Sequence, residues 1–370
     1  MAANKRIFWA VQAIALTDHG AGGAKSGDWS LLSGVQSIGI TTTFNLEQVF
    51  EVGQIALYEN IEEVPDIEVT IERVLDGRIL AYAAASPSSF AHTTGAGAGL
   101  TAGANDRRDV YLGIWSDTAD QAGGANAVSV VYCSGMYLSS ISYTLPVDGN
   151  CTESISLVGN DKVWNDTDPD DFAGAAEGGS FGSGALQFGN DDAGVDASGV
   201  QRRQDIDWSE SYLPNSIAEV RGTANGTLGN NLVGGVPKAH VQSISISTDL
   251  GREAISELGR KTPYHRFVTF PIEVSLDVEV VTTSGDFVDA RGEGLTSLGG
   301  DNLTTSSGVF KLADGTKFDL GSKLRLSSVS YGGGDAGGGN ATVTYSYSTF
   351  NELTVDTPIK KVGGAAYRTS

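Results

Sequence analysis

Cysteine is nearly absent: Cys133 and Cys151 are the two in 370 residues, too few for a disulfide scaffold. No bridge between them is expected. Basic residues are scarce, with 24 Lys+Arg against 45 Asp+Glu and a formal net charge of −21. Neutralising phosphates requires a basic face, so this balance argues against nucleic acid as a tightly held ligand and against an anionic membrane surface. No apolar run approaches the ~18 residues that span a bilayer. The four histidines, His19, His92, His240 and His265, are scattered without metal-ligand spacing, so no zinc site is expected. Helical patterns are also few. Asp76–Ala85, with Asp76 as its cap, and Ser284–Arg291 are the two candidates.

Hydrophobic residues make up 40% of the chain, enough to bury a sizeable core. At about 150 residues per domain the length suggests two or three domains. Lys5-Arg6 before Ile7–Leu16 has the outline of a signal peptide, but Gln12 interrupts the run and no small-x-small site follows. A first β-strand is the better reading, in an unexported chain made in a reducing cytoplasm.

Apolar residues alternate at Ile38, Ile40 and Phe44, at Ile67, Val69 and Ile71, at Ile244, Ile246 and Leu250, and from Ile272 to Val280. A period of two marks half-buried strands, so the chain is read as mainly β. An internal repeat organises it. Val35–Pro65 aligns without gaps on Val241–Pro271 at an offset of 206, with 11 identities in 31 positions. Glu47, Glu51, Gly53, Tyr58 and Pro65 answer Glu253, Glu257, Gly259, Tyr264 and Pro271. A second block, LSSISY at Leu138–Tyr143, answers LSSVSY at Leu326–Tyr331 at an offset of 188. The order is the same in both halves, which reads as a tandem duplication. The implied domains are 1–160, with a Gly-rich loop about 86–110, and 238–370. Between them lies an acidic, Gly-rich insertion and linker, 161–237. Residues 161–200 carry nine acids against one Lys, the composition of a solvated loop. Arg202–Gly222, with Trp208, Tyr212 and Leu213, is expected to pack on something.

Small open sheets leave unpaired edges that must be covered, charged or paired. A duplicated chain whose copies pair edge to edge, and then with further chains, closes into a ring. Between the apolar positions lie Glu68, Thr70 and Glu72 in the first copy, and Glu273, Ser275, Asp277 and Glu279 in the second. This acidic stripe is either an ordinary solvated face or, in a closed ring, the lining of a bore.

Motifs of catalysis or metal binding stand in the wrong context. Gly178–Gly182 fits G-x-S-x-G but lies in a Gly-rich acidic loop rather than a strand-turn-helix. Gly20–Ser26 lacks the Gly that precedes the P-loop lysine, and Gly95–Gly103 opens no helix. Asp166, Asp168, Asp170 and Glu177 have EF-hand-like spacing, but Asp171 replaces the required Gly, and a plain acidic loop is the reading preferred over calcium. No cofactor, no resident metal and no enzymatic activity are expected.

Ser37–Gly77 (SIGITTTFNLEQVFEVGQIALYENIEEVPDIEVTIERVLDG) resembles the N-terminal copy of a bacteriophage tail tube protein, and Leu250–Val280 resembles its partner copy. The resemblance implies two tandem tail-tube-like β-sandwich or barrel domains, each with a short flanking helix. It also implies rings that stack into a tube, with three chains giving six pseudo-equivalent domains. DNA would pass along an acidic lumen lined by the stripe residues, as transient cargo that the wall repels. Partners would be other copies of the chain, with tail sheath, tail terminator and baseplate hub proteins, and no membrane. The location would be the virion tail, assembled in the host cytoplasm.

Asn45–Glu63 resembles the loop with which family rings grip the next ring, and Gly251–Phe270 is its counterpart. The inter-subunit candidates are thus Glu47, Glu51, Gly53, Tyr58, Arg252, Glu253, Gly259, Arg260, Lys261 and Arg266. Opposite charge on the two loops would set alternation or stacking register. Two alternatives remain at this point. One is a tail-hub or contractile-injection component forming a single ring. The more distant one is a calcium-dependent β-rich adhesin or secreted hydrolase.

Overall fold

The computed structural model describes residues 7, 12–19, 30–53, 55–86, 98–101, 103–115, 127, 129–165, 199–214, 216–217, 232–233, 236–237, 239–282, 285, 288, 307–333, 339–357, 359–362 and 365–368. The first half holds β1 (Gln12–Asp18), β2 (Ser30–Leu31), β3 (Val35–Thr43), β4 (Leu46–Phe50), β5 (Leu57–Glu62) and β6 (Asp66–Val74). It continues with α1 (Ala81–Ala85), β7 (Ala98–Gly99), β8 (Arg107–Ile114), β9 (Ser129–Pro146), β10 (Thr152–Gly159) and β11 (Asp161–Asn165). The second half holds β12 (Leu232–Val233), β13 (Val236–Pro237), β14 (His240–Asp249), β15 (Glu253–Ile255), β16 (His265–Phe267) and β17 (Glu273–Val281). It ends with β18 (Val309–Lys311), β19 (Lys317–Asp319), β20 (Arg325–Gly332), β21 (Thr342–Phe350), β22 (Thr354–Asp356), β23 (Ile359–Val362) and β24 (Ala365–Arg368). The protein is mainly β, as its alternating pattern requires, with antiparallel pairing throughout the main sheet.

The repeated sequence blocks occupy equivalent strands. In the first half the order is β3-β6-β10-β9; in the second it is β14-β17-β21-β20. Register agrees in detail: Ile40 lies opposite Val69, and Ile246 opposite Leu276. The irregularities agree too. Pairing shifts between Val35 and Ser37 and, 206 residues later, between Val241 and Ser243. A second shift skips Ser139 in β9 and its equivalent Ser327 in β20. An extra residue in a strand displaces every later side chain, so matched bulges keep matched faces. Pairing does not separate the repeats: β9 pairs with β14, and eight strands run unbroken as β3-β6-β10-β9-β14-β17-β21-β20.

One face of this sheet is apolar. Val69, Ile71, Ile141, Ile155, Ile244, Ile246, Val278 and Tyr345 are all buried and belong to one core cluster shared by both halves. The small sheet β18-β19-β22-β7 contributes Phe310, Phe318 and Val355 to that cluster, and the Phe318 ring meets Tyr143 at 4.5 Å. Its strand β7 comes from the Gly-rich loop of the first half, so the halves interlock. The long strand β9 also serves two sheet regions: its first part pairs with β8 and β11, its second with β10 and β14.

Part of the segment read as an insertion is woven into the body. β11 pairs with β9, and residues 199–214 and 216–217 bridge the repeats. There, Gln201 N–H donates to Leu75 C=O at 2.8 Å, Tyr212 and Val309 exchange backbone hydrogen bonds, and the Ser216 and Tyr347 hydroxyls meet at 2.7 Å. This accounts for the apolar residues expected to pack there.

The first candidate helix is shorter than its pattern suggests, and Asp76 does not cap it. Asp76 accepts from Arg73 at 2.6 Å and from Arg78 N–H. The first N–H groups of α1, on Ala81 and Tyr82, donate instead to the Glu153 carboxylate at 2.7 and 3.0 Å. A carboxylate from a neighbouring strand thus satisfies donors that the helix start leaves open. Of the second candidate helix, Ser284–Arg291, only residues 285 and 288 are described, and neither is helical.

Candidate functional site

The other face of the eight-strand sheet is polar from edge to edge. Strand alternation places Glu68, Thr70 and Glu72 of β6 outward and exposed between the buried Ile67, Val69, Ile71 and Arg73. In β17, Glu273 is exposed, and Ser275, Asp277 and Glu279 are half-buried on the same face. Every neighbouring strand adds hydroxyls in register. One row reads Ser37, Glu72, Ser154, Ser142, Ser247, Ser275, Ser348 across seven strands. The next reads Thr152, Thr144, Ser245, Asp277, Ser346, Ser328. The Ser156 hydroxyl donates to Glu68 at 2.6 Å, and the Ser243 hydroxyl to Glu279 at 3.4 Å. Apolar exceptions, among them Val74, Val158, Val281, Pro146 and Phe350, sit at strand ends, and the first row continues onto β20 as the exposed Arg325. A shallow groove of about 590 Å³ crosses the β9–β14 junction, lined by Ser140, Ser142, Ser247, Thr269 and Glu273.

The stripe residues therefore share one surface. The serines and threonines that flank them were not among the sequence candidates, although the signal is visible in ESISL, LSSISY, SISIST and TYSYS, where hydroxyls alternate with apolar residues. Short hydroxyl side chains beside carboxylates form a wall with anionic character and little apolar surface to stick to.

Two hairpins project beside the sheet. β4–β5 is exposed along nearly its whole length and presents Phe50, Val52, Ile55 and Tyr58 with Glu47 and Glu51. Phe44, which the alternation assigned to the buried face, is also exposed, one residue past the end of β3. β15–β16 presents Ile255, Leu258 and Tyr264 with Glu253. Gly53 and Gly259 stand at equivalent turns with φ of +93° and +89°. That left-handed backbone favours glycine and explains this identity of the repeat.

The basic residues of the second hairpin are not all turned outward. Arg252 is held inside the chain: it donates to the carbonyls of Leu138 at 2.7 Å, Ala104 at 2.5 Å and Arg266 at 3.1 Å. It also lies 5.2 Å from the Tyr137 ring centre. Burial lowers its guanidinium to about 10. Arg266 pairs with Asp66 of the first repeat at 2.5 Å and reaches Asn160. Arg260 pairs with Glu257 within its own hairpin at 3.2 Å. Lys261 is exposed. Arg252 and Arg266 thus tie the second hairpin to the first half, and three of the four cations of the charge-register idea, Arg260 included, make contacts within the chain. At Asp66, partial burial pushes the carboxyl upward, but hydrogen bonds from Asn45, Arg266 and Asn160 and the Arg266 charge outweigh it, and the net shift is downward.

Cys133 and Cys151 are free and buried, and burial pushes both thiols up to about 12. The G-x-S-x-G match, the P-loop-like stretch and the EF-hand-like acids lie outside the described residues; of Gly95–Gly103, residues 98–101 and 103 are described, and they form β7 and turns. Among the described residues no group of three or more His, Cys, Asp or Glu is placed to hold a metal, and no helix is long and apolar enough to cross a membrane.

No protein-family profile and no curated protein matches the chain. Among solved structures, it is similar to a chain of the anti-feeding prophage baseplate, at 9% identity and a TM-score of 0.31, covering 45% of this chain and 97% of that one. It is also similar to a chain of the anti-feeding prophage tube-terminating cap, at 10% identity and a TM-score of 0.32, covering 45% and 95%. Likenesses at this level settle neither fold nor function.

Proposed function

We propose that this protein is a structural component of a phage-like tail, a tube subunit whose polar sheet face lines a bore that conducts DNA. One observation carries the reading: a single face spanning eight strands and both repeats is dominated by hydroxyls, glycine and carboxylates, with Arg325 a cation on its outer strand β20. A merely solvated face tolerates long charged and mixed side chains. This one offers hydroxyls and carboxylates that outnumber its cation, a net negative wall that repels phosphates and limits sticking. The sequence resemblance of Ser37–Gly77 and Leu250–Val280 to tail tube proteins supports the same reading. The exposed apolar side chains of both hairpins suit contacts between stacked rings. Three chains per ring would supply six equivalent four-strand units, and no catalytic role is assigned.

Electron microscopy of the purified protein tests this. Open-ended tubes with threefold rings are expected. Isolated rings would favour a hub or cap role, and a protein that stays monomeric at high concentration would overturn both. A charge reversal tests the bore. With Glu68, Glu72, Glu273, Asp277 and Glu279 changed to Lys, rings should persist and should bind DNA in a strongly salt-dependent way. Assembled rings that still ignore DNA would place this face elsewhere than the bore.

A further inference from the structure

We infer that copies of this chain join head to tail through β20 of one and β3 of the next, antiparallel and in the register of the internal β9–β14 junction. The inference rests on the repeat geometry and stands apart from the tail reading. Within the chain, β9 meets β14 with Tyr143 opposite Ile246, Ser142 opposite Ser247, Ile141 opposite Thr248 and Ser140 opposite Asp249. The strands equivalent to β9 and β14 are β20 and β3. Among the described residues each of these pairs on one side only, with β21 and β6 respectively. The open side of each is the side that its equivalent uses at the junction.

Carrying the junction over by the two sequence offsets, 188 and 206, sets Tyr331 opposite Ile40, Ser330 opposite Thr41, Val329 opposite Thr42 and Ser328 opposite Thr43. The chemistry agrees: the hydroxyl pairs continue the polar face, and Tyr331 and Ile40 face the apolar side. Burial agrees as well. Tyr143 is 0% exposed and Tyr331 58%; Leu250 is 2% exposed and its equivalent Phe44 69%. Ile244 and Ile246 are fully buried, whereas Ile38 and Ile40 are half-buried. At the junction, Leu250 N–H donates to Ser139 C=O at 2.8 Å, which places Phe44 N–H against Ser327 C=O of the next chain. Unpaired edges with large exposed apolar neighbours are what a protein otherwise covers or blocks. The two edges differ, so the contact is heterologous and propagates until rotation closes it.

Disulfide trapping tests the register. Thr41 and Ser330 are both exposed. Side chains directly opposite come within the Cβ separation a disulfide needs, and a shift of two residues does not. On mild oxidation the T41C/S330C variant should form intermolecular cross-links roughly tenfold or more above the off-register T41C/S328C variant, because opposed thiols meet at a high effective concentration. The native thiols are buried and stay silent. Circular dichroism of each single variant checks folding. Equal yields from both pairs, or no cross-linking by T41C/S330C in assembled protein, would overturn the inference. Microscopy of the same samples separates the two claims. Cross-linked oligomers without tubes sink the tail reading alone, and tubes without cross-links sink the edge pairing alone.

Discussion

The interiors of the two repeats solve one position in opposite ways. In the first, Arg73 on β6 lies directly opposite Glu153 on β10, both fully buried. In the second, the equivalent pair on β17 and β21 is Val280 opposite Val343, equally buried. The scaffold therefore does not need charge there. What differs is the load. Glu153 accepts from the two N–H groups that open α1 and from the Tyr143 hydroxyl, while Arg73 holds Asp76 and the Ile79 carbonyl. Burial raises the Glu153 carboxyl above the ordinary range, although Arg73 and its hydrogen-bond donors pull the other way. The ion pair docks a helix and its approach loop onto a sheet that could otherwise be closed by valine. Buried pairs of this kind add little net stability and cost much when half is removed.

The sharpest way to break the comparison is Glu153→Val. It leaves the buried Arg73 with Asp76 alone of its two carboxylates and strips Ala81, Tyr82 and Tyr143 of their shared acceptor, and should cost about 3–5 kcal/mol in urea unfolding. Adding Arg73→Val imitates the second repeat. The double variant should be less destabilised than Glu153→Val, with the residual loss, about 1–3 kcal/mol, coming from the helix donors and from Asp76, which loses Arg73. If the two changes simply add, the pair is not a unit and the valines of the second repeat are no guide to it.

The hairpins sharpen the same contrast more gently. Arg252→Ala removes three hydrogen bonds, two of which clamp β15–β16 to the first half, at a cost of about 1.5–3 kcal/mol. Limited proteolysis should then cut within 253–267 sooner and leave the rate within 46–62 unchanged. The smallest effect concerns pH. The Asp66 carboxyl is lowered in the folded state, so its tie to Arg266 contributes above the unfolded value of about 3.9 and is lost as pH falls through the folded value. Hydrogen-exchange protection of β15–β16 should drop below about pH 4, and Asp66→Asn should flatten that dependence.

Much of this was legible in the residues. Alternation at Ile67–Ile71 and Ile272–Val280 assigns faces because a strand has no choice but to turn every second side chain outward. The repeat foretells equivalent strands, and shared Gly53 and Gly259 foretell equivalent turns. The errors have physical causes. Asp76 carries the local signature of a helix cap, yet a buried arginine three residues earlier competes for its carboxylate, and the acceptor that wins lies 72 residues from Ala81. Arg252 reads as a loop cation, but the carbonyls that hold it belong to Leu138 and Ala104, which no local pattern connects to it.

The sequence by itself determined the strand class, the two faces of the main sheet, its acidic character and the twofold repetition, since all four follow from side-chain periodicity and identity along the chain. Only the tertiary structure decided which strand edges meet. β3 and β14 carry nearly the same residues, as do β9 and β20, so their intrinsic preference for pairing is the same. Chain connectivity brings β9 and β14 together and leaves β20 and β3 at the two outer edges, because one chain can satisfy that contact once and each further one needs another chain.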